Sequence, residues 1–166
     1  MGDTEPAHSD VAADGLSVGQ AERLAAARAH CEQTGGRWTA PREGVFRLLL
    51  QAQGALKAYD LVSAYRPYGR VASPATVYRA LDFLQAQGLV HRLETNNAYV
   101  ACSHPAAGHD AQFAICDRCG TSEELPIHDN SSTLTIAGER GFQVRTILVE
   151  LRGICPNCQN LGSATP

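Results

Sequence analysis

The chain has 166 residues, 44% of them hydrophobic, and a formal net charge of -3 at pH 7, which suits one ordinary domain or two small ones with modest cores. No apolar run is long enough to span a bilayer, and the acidic start Met1-Gly2-Asp3-Thr4-Glu5-Pro6 lacks a signal-peptide core, so the expected location is the cytoplasm, with no membrane partner. Six cysteines there point to metal ligands or buried thiols rather than disulfides.

Residues 1–18 carry four acids and no base, show little periodicity and are expected to form a mobile tail. A helix follows over Gln20–Gln33, stopped by Gly35-Gly36. A second starts with Thr39 as cap and Pro41 in its first turn, and carries Val45, Phe46, Leu48 and Leu49 as far as Gly54. A third spans about Ala58–Tyr65, closed by Pro67 and Gly69. The fourth has the clearest signals: Ser73 as cap, Pro74 at its first position and Gln87-Gly88 at its end. Val77, Leu81 and Leu84 form its buried stripe, with Ala75, Arg79 and Asp82 opposite.

Two alternating segments, Leu89–Glu94 and Ala98–Cys102, flank Asn96-Asn97, a pair that tolerates the positive φ of a tight hairpin. Helix-turn-helix plus hairpin is a winged helix. A two-residue turn at Asn96-Asn97 pairs Leu93 with Val100 and His91 with Cys102, all four side chains on one face. Residues 103–110 read as a hinge. Beyond it come a strand (Gln112–Ile115), a Cys-x-x-Cys turn, a strand near Glu123–Pro126, a helix around Ser131–Arg140, a long strand (Phe142–Leu151) and a second Cys-x-x-Cys. The fold class is therefore α+β: a winged-helix domain over residues 19–102, the hinge, a small α/β domain over 111–160 and a frayed end at 161–166. Residues 19–100 carry ten bases against six acids and residues 101–166 four against seven, which fits two jobs in two domains.

Cys116-Asp117-Arg118-Cys119 and Cys155-Pro156-Asn157-Cys158 each present two thiolates from one tight turn, and together complete a closed tetrahedral S4 site for structural zinc. A second constellation gathers His91 and Cys102 on the wing, His109 after the hinge and Glu124 past the first cysteine turn. Spacing alone leaves two readings open: a mixed-ligand metal site joining both domains, or a packed His91 with Cys102 as a small buried apolar residue. For DNA, Arg79 stands on the exposed face of the fourth helix, where arginine makes a bidentate contact to guanine. Thr76 and Tyr78 are its neighbours, and Arg42, Lys57, Arg66 and Arg70 are within reach of phosphates.

Taken together, these residues resemble the ferric uptake regulator superfamily, most closely its zinc uptake regulator branch, over roughly residues 20–160. The segments that carry the resemblance are A-Y-D-L-V (58–62), P-A-T-V-Y-R-A-L-D-F-L (74–84), G-L-V-H-R-L-E (88–94), A-Y-V-A-C (98–102), H-x6-C-x2-C (109–119) and L-R-G-I-C-P-N-C (151–158). The resemblance implies a homodimer paired through its C-terminal domains, with winged helices reading a palindromic duplex operator. It also implies structural zinc on Cys116, Cys119, Cys155 and Cys158, and regulatory zinc on His91, Cys102, His109 and Glu124, at least two ions per subunit. Tyr59 and Arg79 match positions associated with base contacts.

The chain departs from the family at Thr39-Ala40-Pro41-Arg42, where the proline is displaced by one, and at Lys57, which replaces a capping serine. The histidine-rich run of iron-sensing relatives is reduced to His104 and His109, which argues against a third metal site. Glu123 is the alternative to Glu124 as ligand, since neighbours on a strand face opposite ways and the sequence leaves open which of the two points inward. His8, His30, His128 and Cys31 match no site.

The expected function is a zinc-responsive repressor of zinc-uptake genes, not an enzyme and without a small-molecule substrate. A thiolate in the sensing set favours zinc over iron, manganese, nickel or peroxide sensing. The zinc-deaminase signature is absent, because Cys155 precedes its proline. A zinc-stapled adaptor that binds no DNA is the remaining alternative.

Overall fold

The computed structural model describes residues 15–52, 54–104, 110–126 and 131–162. Helix α1 (Val18–Gln33) opens on a reciprocal cap: the Ser17 side chain accepts from the Gln20 N–H, and the Gln20 side chain accepts from the Ser17 N–H. Leu16, just before it, is fully buried. The tail expected over residues 1–18 is therefore corrected at its end, and its first 14 residues lie outside the described ones. Helix α2 (Ala40–Gln51) starts after Thr39 with Pro41 in its first turn, although Thr39 makes no side-chain cap bond.

A two-residue strand, β1 (Leu56–Lys57), leads into α3 (Ala58–Ala64), and a 3-10 turn at Pro67–Gly69 connects it to α4 (Pro74–Ala86). Ser73 caps α4 by accepting from the Thr76 N–H, and Gly88, at φ 66°, lets the chain leave it. Val77, Leu81 and Leu84 are completely buried, joined by Ala80. This stripe meets Val45, Phe46, Leu49 and Leu50 of α2 in one core that also takes in Leu24, Ala27 and Leu61. Two residues set aside in the sequence prove structural here: Cys31 is buried, and His30 Nε2 lies 3.0 Å from the Gln87 carbonyl at the end of α4.

The wing comprises β2 (Val90–Leu93) and β3 (Ala98–Ala101), with β1 on the other edge of β3 in the antiparallel order β1-β3-β2. Its register corrects the expected one: His91 pairs with Val100 and Leu93 with Ala98. The turn has four residues, Glu94–Asn97, and only Asn97 adopts a positive φ, 50°. A register shift of two keeps every side chain on its face. His91 and Cys102 thus stay on one face, set diagonally rather than directly opposite.

In the C-terminal half, β4 (Ala111–Cys116) lies between antiparallel β5 (Ser122–Leu125) and parallel β6 (Leu148–Gly153), with α5 at Ser131–Glu139. The strand expected over Phe142–Leu151 starts only at Leu148, because β4 begins at Ala111, opposite that residue, and no described strand pairs in register with residues 142–147. The frayed end expected from residue 161 is corrected as well: α6 (Pro156–Gly162) runs through 161 and 162, and 163–166 lie outside the described residues. No helix among the described residues is long and apolar enough to cross a membrane.

The halves meet closely. Leu93, Ala111, Phe113 and Ile115 form a small apolar cluster with Val100 and Ala55. Glu150 on β6 accepts from the Glu94 and Thr95 N–H groups of the wing turn, at 2.6 and 3.0 Å.

Candidate metal centres and nucleic-acid face

The first Cys-x-x-Cys turn closes as β4 ends: the Gly120 N–H donates to the Cys116 carbonyl and the Cys116 N–H to that of Thr121. The second follows β6, the parallel neighbour of β4, so both turns arrive at the same end of the sheet. Their four Sγ atoms lie within 4.8 Å of one another. Cys119 Sγ and Cys155 Sγ are 3.7 Å apart, close to the edge of about 3.8 Å that four zinc–sulfur bonds of 2.3 Å require. That spacing is far too long for a disulfide of about 2.0 Å, and all six cysteines are free thiols.

The Cys155 N–H donates to Cys116 Sγ at 3.3 Å. This bond, helped by the Cys119 and Arg118 N–H groups, pulls the Cys116 thiol down to about 6. Cys158 is pushed up to about 12, first by burial and then by the neighbouring sulfurs. Four thiolates this close need a cation between them. Around the cluster, Arg118 donates to the Cys158 carbonyl at 2.8 Å and Arg152 pairs with Asp117.

The second constellation lies at the junction of the halves. His91, Cys102 and Glu124 bring one nitrogen, one sulfur and one oxygen within 4.8 Å of one another. His109 lies outside the described residues. Glu124 is fixed by accepting from the Ser103 N–H at 2.6 Å, and its other oxygen lies 3.9 Å from Cys102 Sγ. Its side chain is only 9% exposed, whereas Glu123 faces the other way and is exposed. The His91 ring rests against Phe113, with centroids 5.3 Å apart. Burial, and after it the Glu124 carboxylate, push the Cys102 thiol up to about 12. A buried thiol beside a carboxylate becomes a thiolate only when a cation joins them, so this donor set fits a metal that releases a proton on binding.

Sequence reasoning missed two supports of this site. Arg23 on α1 donates to the Ala101 and Cys102 carbonyls, both at 3.1 Å, and Glu150 ties the wing turn to β6. Both act across more than 50 residues, where no local pattern signals them.

Of the residues expected to meet DNA, Arg79 is exposed, as are Tyr59 and Tyr78, at 78% and 47%. Thr76 is half-buried, with its hydroxyl 2.9 Å from that of Ser73. Arg42 is more engaged than its sequence position suggests. Its guanidinium stacks over the Phe83 ring at 3.3 Å and donates to the Arg37 carbonyl. It still lines a shallow hollow with Thr76 and Arg79.

The ferric uptake regulator family model matches residues 33–152. The zinc uptake regulation protein of Escherichia coli strain K12 is 40% identical over 139 residues, which are 82% of this chain and 81% of that protein. Among solved structures, a zinc uptake regulator complexed with zinc and DNA is 38% identical and superposes with a TM-score of 0.80, covering 87% of this chain and 98% of its own. The crystal structure of holo XcZur is 42% identical, with a TM-score of 0.76 and coverage of 85% and 99%.

Proposed function

The chain belongs to the ferric uptake regulator family, and on that premise we propose that it is a zinc-responsive transcriptional repressor. Its zinc-loaded homodimer binds palindromic duplex operator DNA and represses zinc-uptake genes. The observation that carries this reading is the meeting of His91 and Cys102 from the wing with Glu124 from β5 at the junction of the two halves. Relatives named for zinc uptake regulation, and a relative solved with zinc and DNA, support it.

We assign Cys116, Cys119, Cys155 and Cys158 to a structural ion and His91, Cys102, Glu124 and His109 to the regulatory one. When bound there, zinc supplies the positive charge that lets a buried thiolate stand beside a carboxylate. The chain's own groups orient the set: the Ser103 N–H aims Glu124, Phe113 backs His91, and Arg23 holds the backbone at Cys102. Because the ligands come from both halves, closing the site fixes the winged helix relative to the C-terminal domain. DNA then tightens metal binding by the factor by which metal tightens DNA binding. The exposed apolar side chains Phe142, Val144, Leu148, Leu151 and Ile154 are the surface we assign to subunit pairing.

Operator binding titrated against buffered free zinc, iron and manganese tests the reading, with metal counted by native mass spectrometry. Wild type should respond to zinc. Cys102→Ser should lose that response while it remains a dimer with one ion per subunit. Response to iron but not zinc, unchanged by the substitution, would overturn the assignment.

A further inference from the structure

The segment joining α3 to α4 begins Tyr65-Arg66-Pro67-Tyr68-Gly69-Arg70 and runs to Ser73. From Tyr65 to Arg79 the chain carries three arginines and no acid, although its net charge is -3. Arg66 and Arg70 are exposed, and no ion pair or side-chain hydrogen bond joins either to another described residue. Between them Tyr68 adopts φ 53° and ψ 33°, a left-handed conformation that is a true outlier for a bulky residue. Its ring is completely exposed, so no packing explains the strain. The loop is nonetheless held in shape: the Arg70 N–H donates to the Pro67 carbonyl and the Ala72 N–H to that of Tyr65. Strained, solvent-facing residues on a held loop cluster where a partner is gripped.

We infer that this loop is a phosphate clamp for duplex DNA, a second contact beside the recognition helix that rests on the function proposed above. In helix-turn-helix docking, the first turns of the recognition helix enter the major groove. A loop that ends at the α4 cap Ser73, three residues after Arg70, is then delivered to the groove's flanking backbone. Arg66 and Arg70 neutralise phosphates there, and the Tyr68 hydroxyl donates to one. The clamp adds affinity without reading bases.

The test measures the salt dependence of binding to a duplex selected from a random library by the zinc-loaded wild type. Each phosphate contact contributes about 0.9 to the slope of log affinity against log salt. A dimer of the Arg66→Ala, Arg70→Ala double variant lacks four such contacts, so its slope should flatten by about 3.6 with base preference unchanged. Tyr68→Gly relieves the backbone and should raise the melting temperature while weakening binding, an opposition that a structural role for the ring would not produce. An unchanged slope in the double variant, with wild-type binding intact, overturns the clamp alone. Absence of zinc-dependent wild-type binding overturns the clamp and the proposed function together.

Discussion

The two halves of the molecule are held together by different physics. The winged helix is an apolar core in which Phe46, Leu61, Leu81 and Leu84 are all but completely buried. Among its described residues the C-terminal half has only Ala111, Phe113 and Ile115 in a comparable cluster, one that also leans on Leu93 of the wing, and it leaves Phe142 at 70% and Ile136 at 56% exposed. A sheet that cannot bury its own faces needs another source of stability. On the proposed function that source would be a metal ion at the four-cysteine cluster together with a second subunit. The winged helix has a core of its own, and on the proposed function the C-terminal half would depend on metal and on a second subunit.

The largest effect should follow from removing one thiolate. Structural zinc contributes about 10–16 kcal/mol in small metal domains, as much as the whole stability of an ordinary domain. Cys158→Ser should therefore unfold the C-terminal half and abolish dimers in native mass spectrometry, while the helical signal in circular dichroism keeps its cooperative melt. Loss of helix in step with the dimer would show that the halves are not separable. The converse substitution is Leu81→Ala, which should lower the winged-helix transition by about 2–5 kcal/mol and leave zinc content unchanged.

The junction site discriminates more finely. Glu124→Gln removes a carboxylate that faces Cys102, whereas Glu123→Gln alters one that faces away. By zinc-indicator competition, the first should weaken the second ion at least tenfold, about 1.4 kcal/mol, and the second less than twofold. Equal losses would mean that the strand's charge rather than the position of Glu124 sets affinity.

What was legible in the sequence follows the range of the forces involved. The cysteine turns and α4 announce themselves because spacings of three and four residues are local geometry. The wing's facing was legible and its register was not. Alternation sets which side chains share a face, but turn length is chosen by whatever grips the turn. Here Glu150, 55 and 56 residues away, takes the Glu94 and Thr95 N–H groups, and it fits a four-residue turn where Asn96-Asn97 suggested two. The strand misread at residues 142–147 has the same cause, since an apolar alternation becomes a strand only where a neighbour lies beside it. Arg23, reaching Cys102 from α1, left no local trace at all.

Acid should separate the halves by the smallest change in the winged helix. Glu43 on α2 accepts from Trp38 Nε1 at 2.9 Å, from Arg28 at 2.8 Å and from Arg47 at 3.1 Å. Burial alone would raise its carboxyl, but the bonds from Trp38 and Arg47 and the two arginine charges outweigh it and hold the group below the usual glutamate range. A carboxyl lowered in the folded state contributes stability above its unfolded value and loses it as pH falls through the folded one. Glu43→Gln should therefore cost the winged helix about 1 kcal/mol at neutral pH, discounted for the exposed Arg28, and the gap from wild type should close below the glutamate range. Trp38 is the sole tryptophan and touches Glu43 directly, so its fluorescence reports this transition without interference from the C-terminal half. Over the same range, protonation of the cysteines should release the ion we assign to them. Wild type in acid should then show lost dimers beside a winged helix weakened by only that small amount. A tryptophan transition that collapsed together with the dimer would make the metal a support of both halves.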